Sequence, residues 1–119
     1  MSIPTHRDPK RLIDLISSLK NEEKVANSLC DMCHVVGNSL KKTYFDDLPK
    51  ILCIVLKRFK EAEHNGHFVK NNDPVSIPFN LFMEDFKELL PKNEGDYPVY
   101  RLSAVLNHSG TFEGGHYWR

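Results

Sequence analysis

Six consecutive apolar residues, ILCIVL from Ile51 to Leu56, constrain the fold of this 119-residue chain more than any other feature. The run is far too short to cross a bilayer. Continued as ILCIVLKRF, it predicts a strand buried on both faces at its start, and hence the centre of a sheet. Such a strand needs cover on both sides. A chain of this length fits one compact domain, burying roughly 60–70% of the surface its unfolded form exposes. Hydrophobic residues at 40% and charged residues at 27% lie in the ordinary globular range.

Helical spacing is visible before the run and turn chemistry after it. In DPKRLIDLISSLK, Asp8 suits an N-cap and Pro9 the first helical position, while Leu12, Ile13, Ile16 and Leu19 form one stripe, predicting a helix over about 9–20. NEEKVANSLCDMCHVVGNSLKK has no sustained period and reads as loop or short strands. KKTYF reads as a strand and DDLP as a turn. Asn65-Gly66 and Asn72-Asp73-Pro74 suggest a surface hairpin, and VSIP a brief strand. FNLFMEDFKELL supports one or two helical turns before Pro91. The alternation of VYRLSAVLNHSG followed by EGGHYWR predicts a last hairpin with Gly110 to Gly115 at its tip. The fold class is therefore α+β: mainly antiparallel sheet with one or two short helices. No repeat or boundary divides the chain.

Charge narrows the partners. Sixteen basic residues balance sixteen acidic ones, leaving no net field to gather nucleic acid or an anionic membrane. The opening MSIPTHRDPKR lacks the apolar segment of a signal peptide. The expectation is a soluble intracellular protein, in cytoplasm or nucleus, with neither a nucleic-acid nor a membrane partner.

Two clusters carry chemistry. Cys30 and Cys33 in CDMCH have the Cys-x-x-Cys spacing that turns two thiolates toward one tetrahedral metal, normally zinc, but they supply half a site. His34 is the nearby addition and Cys53 a distant one, so a partner-completed or vestigial knuckle is the stronger expectation. Cys-x-x-Cys-His also spells c-type haem attachment, which would call for export and a second axial ligand. A thioredoxin-like pair would need a βαβ setting that VVGNSLKK does not supply. Cys53, inside ILCIVL, reads as a core residue with a disfavoured thiolate.

The second cluster is SGTFEGGHYWR. His116 follows Gly114-Gly115 at a strand start, where missing side chains let another backbone come close. That setting suits a general base beside an extended peptide, provided a second group orients the ring; the alternative is a half-exposed strand histidine. His108, on the facing strand, would line the same mouth as His116. His6, His64 and His67 lie in polar, loop-like sequence and read as solvated.

Taken in order, CDMC, KKTYFDDLPKILCIVLKRF and YRLSAVLNHSGTFEGGHYWR resemble the later part of the catalytic domain of ubiquitin-specific proteases, the papain-like cysteine deubiquitinases. The likeness covers about 27–119. It implies that 1–119 is a single partial domain, with a helix and zinc-knuckle-like segment at 1–40 and a palm-like sheet with a histidine box at 41–119. It implies His116 as general base, Gly114, Gly115, Tyr117 and His108 as substrate-binding residues, and Cys30 and Cys33 as half of a zinc site. LPKILCIVLKRF would be a palm strand. The implied partner is ubiquitin or a ubiquitinated protein, with a second chain completing the domain as a further option. No cofactor is needed for the chemistry.

The chain departs from the family pattern where catalysis is made. The nucleophilic cysteine and oxyanion side chain stand before the fingers in the family, yet none of the 29 residues preceding Cys30 is cysteine. The other zinc pair would also be upstream, and the Asp or Asn that orients the histidine lies beyond the histidine box. The expectation is a deubiquitinase-like chain that is inactive alone; the alternative is a non-catalytic ubiquitin- or protein-binding module.

Overall fold

The computed structural model describes residues 10–62, 66–90 and 96–119. In chain order they form β1 (Lys10–Arg11), α1 (Leu12–Ser17) running into a 3-10 turn at Ser18–Lys20, β2 (Glu23–Leu29), β3 (Val36–Lys41), β4 (Phe59–Ala62), β5 (His67–Lys70), β6 (Val75–Ser76) and β7 (Asn80–Phe82). A 3-10 segment at Met83–Leu89, kinked at Phe86, follows; β8 (Val99–Arg101), β9 (Asn107–Gly110) and β10 (Gly115–Trp118) complete the set. Strands β2–β3, β4–β5, β7–β8 and β9–β10 pair antiparallel, and β1 pairs with β6 in parallel. The predominance of antiparallel pairing and the short helices match the α+β expectation, but the described strands stay in pairs and do not join into one sheet.

The apolar stripe of the first helix works as the sequence predicts, though over a shorter span. Leu12 and Ile16 are buried, with Ile13 and Leu19 packed beside them. The anticipated caps Asp8 and Pro9 lie outside the described residues. The helix begins at Leu12 because Lys10 and Arg11 are extended, paired with Val75 and Ser76. Arg11 spans the first turn in a two-pronged bond to Asp14, at 2.7 and 2.8 Å. This helix packs on the second half of the chain: Leu81, Met83, Phe86, Leu89 and Leu90 complete the buried core.

Two strand expectations are corrected. Lys42–Phe45 leaves the ladder after Lys41 and is tied down instead by the Phe45 N–H donating to the Leu89 carbonyl at 2.7 Å. The larger correction concerns 51–58, which belongs to no ladder among the described residues. Leu52 and Leu56 pack against the core, whereas Ile51 is 85% and Val55 80% exposed and Cys53 is also exposed. Between them Ile54 is also exposed, at 40%. The sequence reads as doubly buried because every residue of the run is apolar, whereas only Leu52 and Leu56 are covered.

Size confirms how open the chain is. Its radius of gyration is 17.5 Å, against about 13.5 Å for a compact domain of this length. Its accessible surface is 10327 Å², where about 6,600 Å² is ordinary for this mass. The excess comes from projecting ribbons: β3 is exposed along its whole length, and β2 along all but Ser28.

The core and the apolar run therefore differ in what they contribute to stability. Phe86→Ala, at a side chain only 2% exposed, should cost about 3–5 kcal/mol in urea unfolding. Val55→Thr should change stability by less than about 0.5 kcal/mol. Comparable losses at both positions would place the run in the core after all.

Candidate functional site

The last hairpin sets the site, and its register decides which side chains meet. Gly115 pairs with Gly110, His116 with Ser109, Tyr117 with His108 and Trp118 with Asn107. Directly paired residues of an antiparallel ribbon share a face, and neighbours along a strand take opposite faces. His116 and Trp118 therefore share one face, with Ser109 and Asn107. His108 and Tyr117 share the other.

The structure thus does not bring the two histidines to one mouth. His108 turns inward, its ring 4.6 Å from that of Tyr117 and edge-on to Phe59 at 5.8 Å. Phe112, from the hairpin tip, closes the cluster against Phe59 and stacks on Phe68 at 4.3 Å. Lys70 Nζ donates to the His108 carbonyl at 2.7 Å, tying β5 to β9 across 38 residues of sequence. His108 Nδ1 is buried with no hydrogen-bond partner, so ring packing holds this imidazole. It is a strut between two hairpins, not a residue facing the same space as His116.

The two glycines before His116 have different environments. A Cβ at Gly115 would strike His108 Nε2 and the Ser109 carbonyl oxygen, while one at Gly114 would meet nothing within 4 Å. Gly115 is glycine because the His108 ring occupies the place of its side chain. At the tip, Gly110 has φ +114°, in the region that favours glycine, and the Thr111 N–H donates to the Gly114 carbonyl at 2.9 Å.

His116 is exposed and lies parallel to Trp118, at 6.3 Å between rings and 13° between planes. Among the described residues no side-chain hydrogen bond orients its imidazole, and no cysteine thiol is bonded to it. Geometrically it is an accessible proton acceptor whose ring has not been fixed. Tyr117 is exposed as well.

The cysteine pair occupies the tip of the β2–β3 ribbon. The turn is closed by His34 N–H donating to the Cys30 carbonyl at 2.8 Å and Cys30 N–H donating to the Val35 carbonyl at 3.1 Å. His34 takes φ +53° to do so. The Cys30 sulfur receives the N–H groups of Cys33 and Met32 and faces the Cys33 thiol; these bonds, the Cys33 N–H foremost, hold the Cys30 thiol below its ordinary range. Among the described residues no group of three His, Cys, Asp or Glu side chains that could hold a metal converges. Cys53, expected in the core, is instead exposed.

Arg58 and Lys70, which sequence reasoning did not single out, organise the surroundings. Arg58 donates to the carbonyls of Asn71 and Asp73 at 3.2 and 2.7 Å, fixing the turn after β5. Each partner is remote in sequence, so no local pattern announces the contact. A cavity of about 330 Å³ between Lys20, Glu22, Lys42 and Glu88 lies among other residues, its charges paired as Lys20–Glu88 and Lys42–Glu22. No residue of the last hairpin lines it. No helix among the described residues is long and apolar enough to cross a membrane.

The profile of the ubiquitin carboxyl-terminal hydrolase family matches residues 5–119, and the chain belongs to that family. Among its relatives, ubiquitin carboxyl-terminal hydrolase 8 of Saccharomyces cerevisiae is 30% identical over 93% of this chain and 25% of its own length. Bovine ubiquitin carboxyl-terminal hydrolase 2 is 34% identical over 95% of this chain and 17% of its own. The structure of the SAGA Ubp8/Sgf11/Sus1/Sgf73 DUB module bound to ubiquitin aldehyde superposes with TM-score 0.70 at 28% identity, covering 94% of this chain and 26% of that one. The chain spans about a quarter or less of the length of these relatives.

The contrast between the glycines is testable. Gly115→Ala should destabilise the chain by about 1–3 kcal/mol, since it drives a methyl into the strut and the facing backbone. Gly114→Ala should fall within about 0.5 kcal/mol of the parent. Thermal unfolding of both variants distinguishes them, and equal effects would contradict the packing described.

Proposed function

We propose that this chain is the histidine-bearing part of a thiol deubiquitinase. In this reading His116 is the general base, and the tail of ubiquitin runs beside Gly114 and Tyr117. The observation that carries it is the exposure of His116 on a glycine-led strand in a chain of this family. The open space at Gly114 leaves room for an extended peptide. Gly115 contributes by admitting the His108 strut, which fixes the strand that carries the base. Ubiquitin as partner is supported by the related structure, whose bound molecule is ubiquitin aldehyde.

The proposed chemistry is amide hydrolysis in two steps. A thiolate attacks the carbonyl after the ubiquitin C-terminus, an acyl-enzyme forms, and water releases it, with the imidazole taking and returning the proton. Such a base needs a thiol within hydrogen-bond reach, an orienting partner and a donor for the oxyanion. None of the described residues supplies these beside His116, so the chain by itself does not hydrolyse. A polypeptide carrying the thiol and the oxyanion donor would complete the site. Residues 1–119 are read as one partial domain, with 1–40 as the ribbon-bearing part and 41–119 as the part bearing the base.

A ubiquitin probe with a thiol-reactive C-terminus should form no adduct with the chain, as judged by intact mass. A stoichiometric adduct lost in His116→Ala would overturn the claim of inactivity. Isotope-labelled ubiquitin titrated with the chain should show shifts centred on its C-terminal tail, and unchanged spectra at high concentration would contradict the proposed contact.

A further inference from the structure

The face that carries His116 bears a second exposed ring. Trp118 is the single tryptophan of the chain and is 47% exposed. Its indole lies parallel to the His116 imidazole, with 6.3 Å between rings and 13° between planes. It takes no part in the buried core. The residue facing it across the ribbon is Asn107, whose short polar side chain leaves the indole uncovered. A large aromatic surface held beside the candidate base, with no packing duty among the described residues, is a contact surface for what the base acts on.

Order along the strand says which part of the substrate it meets. Two-residue steps lead from Gly114 to His116 and from His116 to Trp118, the second step spanning about 6.8 Å. This inference rests on the reading above, in which the ubiquitin tail runs beside Gly114 and the scissile amide lies at His116. Whatever departs from that amide then lies on the Trp118 side. We propose that Trp118 is the platform for the leaving group, and that the leaving group it fits is a lysine side chain joined to ubiquitin through Nζ. Four methylenes separate that nitrogen from the lysine Cα, about 6 Å of extended chain with C–C bonds of about 1.5 Å. The reach matches the step from base to indole. Such a stem is narrow, apolar and unbranched, so it lies flat on an aromatic face. A peptide joined through its α-nitrogen has a branched carbon next to the scissile atom and offers the indole polar backbone in place of a stem.

The 119-residue chain tests this by binding, without turnover. Three ligands are titrated: ubiquitin with a free C-terminus, ubiquitin joined to the lysine Nζ of a short peptide, and ubiquitin joined to the α-nitrogen of the same peptide. One tryptophan gives one indole N–H resonance in the isotope-labelled chain. The Nζ conjugate should move it and bind about two- to fivefold more tightly than the other two ligands. Trp118→Ala should bring the Nζ conjugate down to the affinity of free ubiquitin, and Trp118→Leu, which keeps apolar bulk without the flat ring, should retain part of the preference. An indole resonance unmoved by the Nζ conjugate, equal affinity for the two conjugates, or an equal loss for all three ligands in Trp118→Ala would each overturn the proposal. The last result would put the indole on the tail side. Ubiquitin binding without preference leaves the reading of His116 standing, whereas no binding by any of the three removes both.

Discussion

The packing of the His108 imidazole into the space left by Gly115 is the contact on which the last hairpin depends. It fixes the face of the last ribbon. Once His108 turns inward onto Phe59, with Tyr117 over its ring, the two-residue period of a strand puts His116 and Trp118 on the opposite face. The Lys70 bond to the His108 carbonyl holds the same ribbon against β5. The glycine pair thus does two jobs: Gly115 admits a strut, and Gly114 leaves open space before His116.

Most of the chain's excess surface follows from the same economy of cover. One small core, built from α1 and the kinked segment around Phe86, anchors ribbons that bear the candidate residues at their ends. The thiols are on one ribbon and the imidazole on another. Family membership explains the sequence likeness between these parts and far longer relatives. The arrangement also fits the exposure of Ile51, Cys53, Ile54 and Val55, which lie outside the core.

Local sequence revealed the elements whose signals are local. The Leu12–Ile16 stripe, the turn at Gly66 and the Gly110–Gly115 hairpin are each set by spacing or by a glycine conformation, and each is present. Two readings failed because neighbours decided them. ILCIVL looked doubly buried because its outward residues are as apolar as its inward ones. His108 and His116 looked like partners because both fall in one hairpin, but a pairing offset of one residue separates their faces. The contacts made by Arg58 and Lys70 had no sequence signature, since each joins residues far apart in the chain.

Differential labelling of the two histidines tests the central claim most directly. With diethyl pyrocarbonate and peptide mapping by mass, the exposed His116 should be modified readily, while His108 should react far more slowly until the chain is unfolded. Equal reactivity, or protection of His116 with ready modification of His108, would contradict an open His116 supported by an inward strut.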